Sequence, residues 1–339
     1  MTVLLSSLTT LGLGGPAKRV ERAHDTVDLV RCLRTCDLAG EPVLLLGGGS
    51  NVVVADAGFD GTVVLSRDGN YERSGQFVTV EAGRSWDEVV AETVAEGLAG
   101  FEALSGIPGS TGATPVQNVG AYGQEISDTL RSVQVLDRAT GVVCDLTAAE
   151  CGFGYRTSVF RHNPRFAVLE VTFLLQDRAG MSAPVRYAEL ARVLGVEVGE
   201  RAGLRDVREA VLELRRAKSM VLDPTDPNRR SVGSFFTNAV LSPEEYGTAC
   251  ARAGVDIPSY ETPEGAKVPA AWLIEQAGFG KGFGPGPVGI SSRHTLALVN
   301  RGGGTTAELL TLARAIRDGV HARFGVMLTP EPVFVGTSL

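Results

Sequence analysis

Residues Gly106 to Gly123 read Gly-Ile-Pro-Gly-Ser-Thr-Gly-Ala-Thr-Pro-Val-Gln-Asn-Val-Gly-Ala-Tyr-Gly. Glycines recur through the stretch, two prolines fix local φ, and most other side chains are small or carry an amide. Little bulk therefore separates its main-chain N–H groups from a ligand, and glycine's access to positive φ lets successive amides converge on an anion. A polar segment of this length inside a compact protein is usually functional or disordered. The interleaved Ile107, Val116, Val119 and Tyr122 argue for order. A turn-rich connector would carry the same glycines, so composition alone leaves both possibilities open. The pattern is neither Gly-x-Gly-x-x-Gly before a helix nor a P-loop, because no Gly-Lys-Ser/Thr follows. We read it as a phosphate cradle of another kind.

A second glycine cluster strengthens this reading. The apolar run from Glu41 to Leu46 leads directly into Gly47-Gly48-Gly49-Ser50-Asn51, and Val52-Val53-Val54 follows. A strand, a glycine turn and a second strand let bare amides meet a ligand at the end of a sheet, although one such turn alone would more often be a plain connector. Two glycine loops flanked by β-branched strands in one α+β chain point to a nucleotide cofactor with a pyrophosphate.

The chain has 339 residues, which is long for one core, so two or three domains are expected. Hydrophobic content of 44% with 21% charged residues is that of an ordinary soluble globular protein. A net charge of −7 gives no electrostatic support for nucleic-acid binding, despite the small cluster Arg229-Arg230. No apolar run approaches the roughly 18–20 residues of a membrane helix, and no basic residue precedes the mildly apolar N-terminus. We therefore expect a cytoplasmic protein without membrane insertion. The five cysteines show no pairing signature and the four histidines no ligand spacing, so no metal site is expected.

Short strands are expected at Thr62–Leu65 and Phe77–Glu81. Ser85 opens a helix with a Ser-x-x-Glu capping box to Glu88, and Gly97 closes it. Val133–Leu136 and Val142–Leu146 read as a hairpin, and Val168–Leu175 as a long strand. Leu204, Val207, Val211 and Leu214 mark an amphipathic helix ending near Lys218. The run from Asp223 to Asn228, with Pro224 and Pro227, is the clearest linker signal, and a second α+β region starts after it. Capping boxes at Ser242–Glu245 and Thr305–Glu308 open further helices; Gly325 ends the second, and Pro330–Gly336 reads as a last strand.

Three segments place polar residues against their surroundings. Arg156, in Gly154-Tyr155-Arg156-Thr157-Ser158-Val159-Phe160, offers a charged planar fork suited to a carboxylate or enolate; a structural salt bridge is the common alternative. Ser234, in Ser231-Val232-Gly233-Ser234-Phe235-Phe236, lacks the Gly-x-Ser-x-Gly elbow, which disfavours a nucleophile and leaves a proton donor open. Glu331 lies between Pro330 and Pro332, pinned as a catalytic acid would be, or a solvated edge residue.

Taken together, Gly47-Gly48-Gly49-Ser50-Asn51, Ile107 through Gly123, Tyr155 through Phe160, Gly233-Ser234-Phe235-Phe236 and Pro330-Glu331-Pro332 resemble the motifs of the UDP-N-acetylenolpyruvoylglucosamine reductase family. They occur in the family's order and span nearly the whole chain. The resemblance implies an α+β, FAD-binding fold of the vanillyl-alcohol-oxidase type with an additional α+β substrate-binding domain. The implied division is 1–65 with the C-terminal strand 326–339 as one FAD subdomain, 66–218 as the second, and 219–325 as the substrate domain. It also implies reduction of UDP-N-acetylglucosamine enolpyruvate to UDP-N-acetylmuramate, with non-covalent FAD as cofactor and NADPH as co-substrate, in a monomer.

Carried over by motif, Gly47, Gly48, Gly49, Ser50, Asn51, Pro108, Gly109, Ser110, Thr111 and Gly112 would hold the flavin, with Gln117, Asn118, Gly120, Ala121, Tyr122 and Gly123. Arg156 and Glu331 would stabilise the enolate left by hydride addition, and Ser234 would deliver the proton. Tyr187 resembles the loop tyrosine of one subtype, which packs on the uridine nucleotide. Lys218 and Asn238 match positions near the substrate phosphates, joined by Lys267 and Gln276. Thr237 departs from the lysine of many relatives. An alcohol-oxidising flavoenzyme of the same fold and a non-catalytic UDP-sugar binder are the competitors. The absence of histidine between His24 and His162 removes a histidine tether from the flavin loops, and Arg156, Ser234 and Glu331 together argue against a mere binder.

Overall fold

Alternation along Phe77–Glu81 buries Val78 and Val80 completely and leaves Phe77 exposed, as expected of a strand with one covered face. That strand joins an antiparallel five-stranded sheet in the order Val142–Thr147, Leu130–Asp137, Phe166–Leu174, Phe77–Glu81, Tyr71–Ser74. The computed structural model describes residues 2–339. It divides into two compact units, a larger one of Ala17–Gly49 and Asp60–Leu222 and a smaller one of Met1–Pro16, Ser50–Phe59 and Asp223–Leu339. The cut at Asp223 falls on the Asp-Pro run.

In the larger unit, helix α1 (Thr26–Leu38) is capped by the Asp25 carboxylate, which accepts from Asp28 N at 2.7 Å, and buries Leu29, Cys32, Leu33 and Cys36. Strand Val43–Leu46 runs parallel to Phe59–Ser66, whose residues 62–65 are all buried, so Val63–Leu65 is a continuous apolar run rather than an alternating one. Helix α2 (Trp86–Ala95) covers the five-stranded sheet; Trp86 packs 4.9 Å from the Phe101 ring and 5.8 Å from Phe173. Helices α3 (Ala188–Leu194) and α4 (Leu204–Ala217) pack on each other through Leu190, Ala191, Val207 and Val211.

The smaller unit holds two three-stranded sheets, Ser231–Ser234/Ala297–Asn300/Val288–Ile290 and Ala239–Leu241/Gly265–Val268/Tyr260–Thr262. A parallel pair, Val52–Val54 with Val333–Val335, completes it. Helices α5 (Pro243–Ala253), α6 (Ala270–Gln276) and α7 (Thr306–Phe324) enclose a core containing Phe235, Phe236, Leu273, Ile316 and Phe324.

The strands flanking Gly47–Asn51 belong to different pairs: Val43–Leu46 joins Phe59–Ser66, and Val52–Val54 joins Val333–Val335. One expectation needs correction. The capping box at Ser85 does not form, although those at Ser242 and Thr305 do. Glu88 instead lies 3.7 Å from Arg84 Nε, and the first amide of α2, Trp86 N, donates to Gly109 O at 3.0 Å. The glycine stretch itself caps the helix.

Candidate active site

Gly47 and Gly48 meet the Gly106–Gly123 stretch inside the larger unit. A Cβ on Gly47 would lie 2.1 Å from Ser110 Oγ, and one on Gly48 would lie 2.8 Å from Gly109 Cα. The second contact is backbone against backbone, which only glycine permits. Gly109 itself has φ of 126°, and Gly49 has φ of 67°. Backbone pairing with the turn before α2 fixes the stretch: Thr111 N donates to Arg84 O at 2.8 Å and Gly112 N to Ala82 O at 2.9 Å. Those amides, with Ala113 N and Thr114 N, are satisfied internally, so the expected run of bare amides is narrower than the glycine pattern suggests. Among the described residues, the amides of Gly48, Gly49, Gly109 and Ser110 donate to no protein acceptor. They are the groups left to meet a ligand.

Asn118 is 2% exposed and stands at a φ of 45°. Its side chain turns inward, donating to Glu125 Oε2 at 2.9 Å and Gly154 O at 3.3 Å while accepting from Ser127 N at 3.0 Å. The side chain thus braces the loop, and its carbonyl is what faces Arg156. Arg156, itself at a φ of 54°, donates through Nη1 to Asn118 O at 3.3 Å and through Nη2 to Gly120 O at 2.6 Å. Its guanidinium carbon lies 5.5 Å from the Tyr155 ring centroid. A Cβ on Gly120 would sit 3.1 Å from Arg156 Nη1, so the glycine makes room for the cation. Ser158 ties the Tyr155–Phe160 segment to the same loop through Val116 O at 2.7 Å.

At the far end of the loop, Tyr122 and Tyr187 meet edge to face with centroids 5.5 Å apart. Burial pushes the Tyr122 hydroxyl above its ordinary pKa. Lys218 caps α4, lies 5.9 Å from the Tyr122 ring centroid and pairs with Glu189 at 2.9 Å. Tyr187, Lys218 and Tyr122 therefore form one cluster.

In the smaller unit, Phe236 bridges to Pro330, Glu331 N donates to Phe235 O at 2.9 Å, and Thr237 N donates to Thr329 O at 3.0 Å. This ladder brings Ser234 and Glu331 onto neighbouring segments. The paired Phe235 and Phe236 rings, 5.1 Å apart and buried, hold the segment rigid. Val333 N donates to Asn51 O at 3.0 Å. Asn238 Oδ1 accepts from Ala270 N at 3.0 Å and so caps the start of α6, while Lys267 is in the adjacent strand opposite Val240. Gln276 is at the other end of α6, exposed, and its carbonyl accepts from Arg323. The structure groups Asn238 and Lys267 and sets Gln276 apart from the Asn238 end of the helix.

Comparison with known proteins decides the family. A family model described as the C-terminal domain of UDP-N-acetylenolpyruvoylglucosamine reductase matches residues 223–335, and one described as an FAD binding domain matches residues 17–147. The reductase of Thermobifida fusca (strain YX) is 54% identical over 99% of this chain and 98% of its own length. The chain belongs to the UDP-N-acetylenolpyruvoylglucosamine reductase family. The reductase of Salinispora arenicola (strain CNS-205) is 55% identical over 99% of this chain and 95% of its own. Among solved structures, the family's enzyme from Thermus caldophilus matches with a TM-score of 0.69 at 26% identity, covering 99% of this chain and 98% of that one. The fold is the α+β FAD-binding type expected.

Within that family fold, sequence reading missed three residues. Asp87 accepts from Gly106 N at 2.6 Å and from Arg208 Nη1 at 2.6 Å, anchoring the start of the loop to α4. Burial pushes its carboxyl up, but the Arg208 guanidinium and the Gly106 amide more than offset this and hold it below the ordinary range. Arg215, 7% exposed, has its Cδ 3.4 Å from where a Gly106 Cβ would be, and its Nε has no partner among the described residues. Burial lowers its pKa. A buried cation with a vacant donor beside a glycine loop suits an anionic cofactor. The only sequence signal for it is an arginine next to the apolar stripe of α4.

Proposed function

We propose that the chain reduces UDP-N-acetyl-3-O-(1-carboxyvinyl)glucosamine to UDP-N-acetylmuramate in peptidoglycan precursor synthesis, using NADPH and non-covalently held FAD. The observation that carries this proposal is the apposed pair of glycine loops with four open amides, in a chain 54% identical to a named reductase from end to end. These residues fit a dinucleotide: Gly47 and Gly48 leave the space a Cβ would fill, and Arg215 offers a buried positive charge. When bound, FAD supplies the two-electron hydride chemistry.

The chain's own groups supply the rest. Gly48, Gly49, Gly109 and Ser110 would donate to the cofactor, with Ser50, Asn51, Pro108, Gln117 and the Gly120–Gly123 segment shaping its bed. As hydride adds to one carbon of the enol-ether double bond, negative charge moves onto the carboxylate-bearing side. Arg156 and Glu331 oppose that charge, Glu331 in its protonated form or through a hydrogen bond. The Ser234 hydroxyl gives its proton to the other carbon, so one hydride and one proton saturate the bond. Serine is a weak acid, and the rigid ladder at Phe235–Thr237 provides the positioning this needs. Tyr187, Lys218, Asn238, Lys267 and Gln276 would recognise the UDP moiety, with Thr237 in place of a lysine weakening a phosphate contact without touching the hydride step. The proposal includes the three-part division at 1–65 with 326–339, 66–218 and 219–325, and a monomeric, cytoplasmic enzyme.

An anaerobic two-step titration tests it. Purified yellow protein should bleach with NADPH and recolour stoichiometrically on adding the enolpyruvyl UDP-sugar. Recolouring by air but not by that substrate would make the chain an oxidase instead.

A further inference from the structure

Arg156 donates to main-chain carbonyls, and what fixes those carbonyls is a relay that reaches the half-buried Glu125. Asn118 and Gly120 each provide a carbonyl acceptor of the guanidinium. Gly120 pairs with Glu125 in a two-stranded ladder, and Gln124 pairs with Ala121. Asn118 lies in the left-handed region, which costs a non-glycine residue energy and persists only where the surroundings impose it. They impose it here through its side chain: one amide proton goes to Glu125 Oε2 and the other to Gly154 O, two residues before Arg156. Glu125 is oriented in turn, because Asp128 Oδ2 accepts from its amide at 3.1 Å. A Cβ on Gly120 would lie 2.8 Å from Glu125 Cγ and 3.1 Å from Arg156 Nη1. The glutamate stem and the guanidinium thus pack against the same glycine.

We propose that Glu125 is a positioning residue for the reduction, acting through Asn118 and the Asn118 and Gly120 carbonyls to aim the Arg156 guanidinium. This rests on the role given to Arg156 above. Without the carboxylate, Asn118 keeps a buried amide proton with no acceptor and loses the bond that holds it at positive φ, and its carbonyl swings. A displacement of about 1 Å at a charge-stabilising group costs up to roughly a hundredfold in rate. The Asp side chain is too short to reach Asn118, whereas Gln retains an acceptor oxygen at the same distance.

The test uses flavin-loaded Glu125→Gln, Glu125→Ala, Arg156→Lys and the Glu125→Ala/Arg156→Lys double variant. Flavin content and the flavin spectrum are read first, then the rate of bleaching by NADPH, then the rate of recolouring by the enolpyruvyl UDP-sugar. Glu125→Ala should keep flavin content and the NADPH step within about twofold while recolouring slows by about tenfold to a hundredfold. The loss should fall on kcat with KM little changed. Glu125→Gln should recover most of the rate, and the double variant should be no slower than Arg156→Lys alone, because both changes act on one group. Additive losses, equal slowing of both steps, or Glu125→Gln as poor as Glu125→Ala would overturn the proposal. If Arg156→Lys recolours at the wild-type rate, the role of Arg156 fails and this inference with it. If Arg156→Lys is slow while Glu125→Ala is normal, only the positioning role fails.

Discussion

The two units offer different materials. In the larger unit the proposed working surface is main chain: Gly48 lies against Gly109, open amides lie on either side, and Asn118, Tyr122 and Arg156 all sit at positive φ without being glycine. In the smaller unit the proposed working groups are side chains, Ser234 and Glu331, mounted on an ordinary ladder with a phenylalanine-rich core behind it. A main-chain surface is defined by what is missing, so it fails when atoms are added. A side-chain site is defined by one functional group, so it fails when atoms are removed. The same distinction predicts which half-reaction each lesion disturbs.

The largest effect tests the side-chain half. Ser234→Ala deletes one hydroxyl from a half-buried position and leaves the ladder and the paired phenylalanines in place. Flavin content and bleaching by NADPH should be unchanged, and recolouring by the enolpyruvyl UDP-sugar should fall by about 10²–10⁴-fold, the usual contribution of a positioned proton donor. Equal loss in both steps would mean Ser234 holds the pocket rather than the proton. The complementary lesion is Gly48→Ala. Its new methyl would be 2.8 Å from Gly109 Cα, and backbone cannot step aside as a flexible side chain can. Overpacking of this kind costs about 1–3 kcal/mol, or roughly tenfold to a hundredfold in FAD dissociation constant. The protein should purify pale, and excess FAD should restore both half-reactions in proportion to occupancy. A yellow Gly48→Ala protein with a wild-type dissociation constant would remove the loop from the cofactor site.

A smaller effect separates the loop from its anchor. Asp87 receives Gly106 N and a two-pronged contact from Arg208, so Asp87→Asn should loosen the start of the loop without adding bulk. We expect severalfold weaker FAD retention and a lower melting midpoint at neutral pH. The folded-state carboxyl is held below its ordinary value. Its contribution is therefore present above the unfolded-state pKa of about 4 and is lost as pH falls through the lower folded value. Melting curves of the two proteins should differ at pH 7 and converge below pH of about 4. A gap that persists undiminished in acid would show that shape, not charge, anchors Gly106.

The glycine clusters were legible because glycine is informative by itself: its position marks where a side chain cannot go. The long helices α4 and α7 were legible from spacing, whereas the packing of Tyr122, Tyr187 and Lys218 on one another was not. What sequence could not show was which amides remain open. Thr111 and Gly112 look like their neighbours in the pattern, yet pairing with Arg84 and Ala82 takes their donors, and that depends on how the stretch folds onto the turn before α2. Asp87, Arg208 and Arg215 escaped for a related reason. Each is an ordinary charged residue on an amphipathic helix, and only tertiary contact sets them beside Gly106. The inward turn of Asn118 likewise depends on Glu125 and Gly154, neither of which its own neighbours announce.

Helix starts carry the same contrast at its smallest scale. Ser85 and Ser242 both precede a helix and both have glutamate three residues on, so local sequence treats them alike. Ser242 accepts from Glu245 N at 3.2 Å, and Glu245 Oε2 returns the bond to Ser242 N at 2.8 Å. Ser85 makes no side-chain cap, and the first amide of α2, Trp86 N, donates to Gly109 O. Ser242→Ala should therefore cost about 1 kcal/mol, the usual worth of an N-cap. That is a fall of about 2–4 °C in the melting midpoint of a unit this size. Ser85→Ala should shift the midpoint by less than about 1 °C, within the scatter of surface substitutions. Equal shifts would mean that the Ser85 hydroxyl caps α2 in solution, by accepting from its second or third amide.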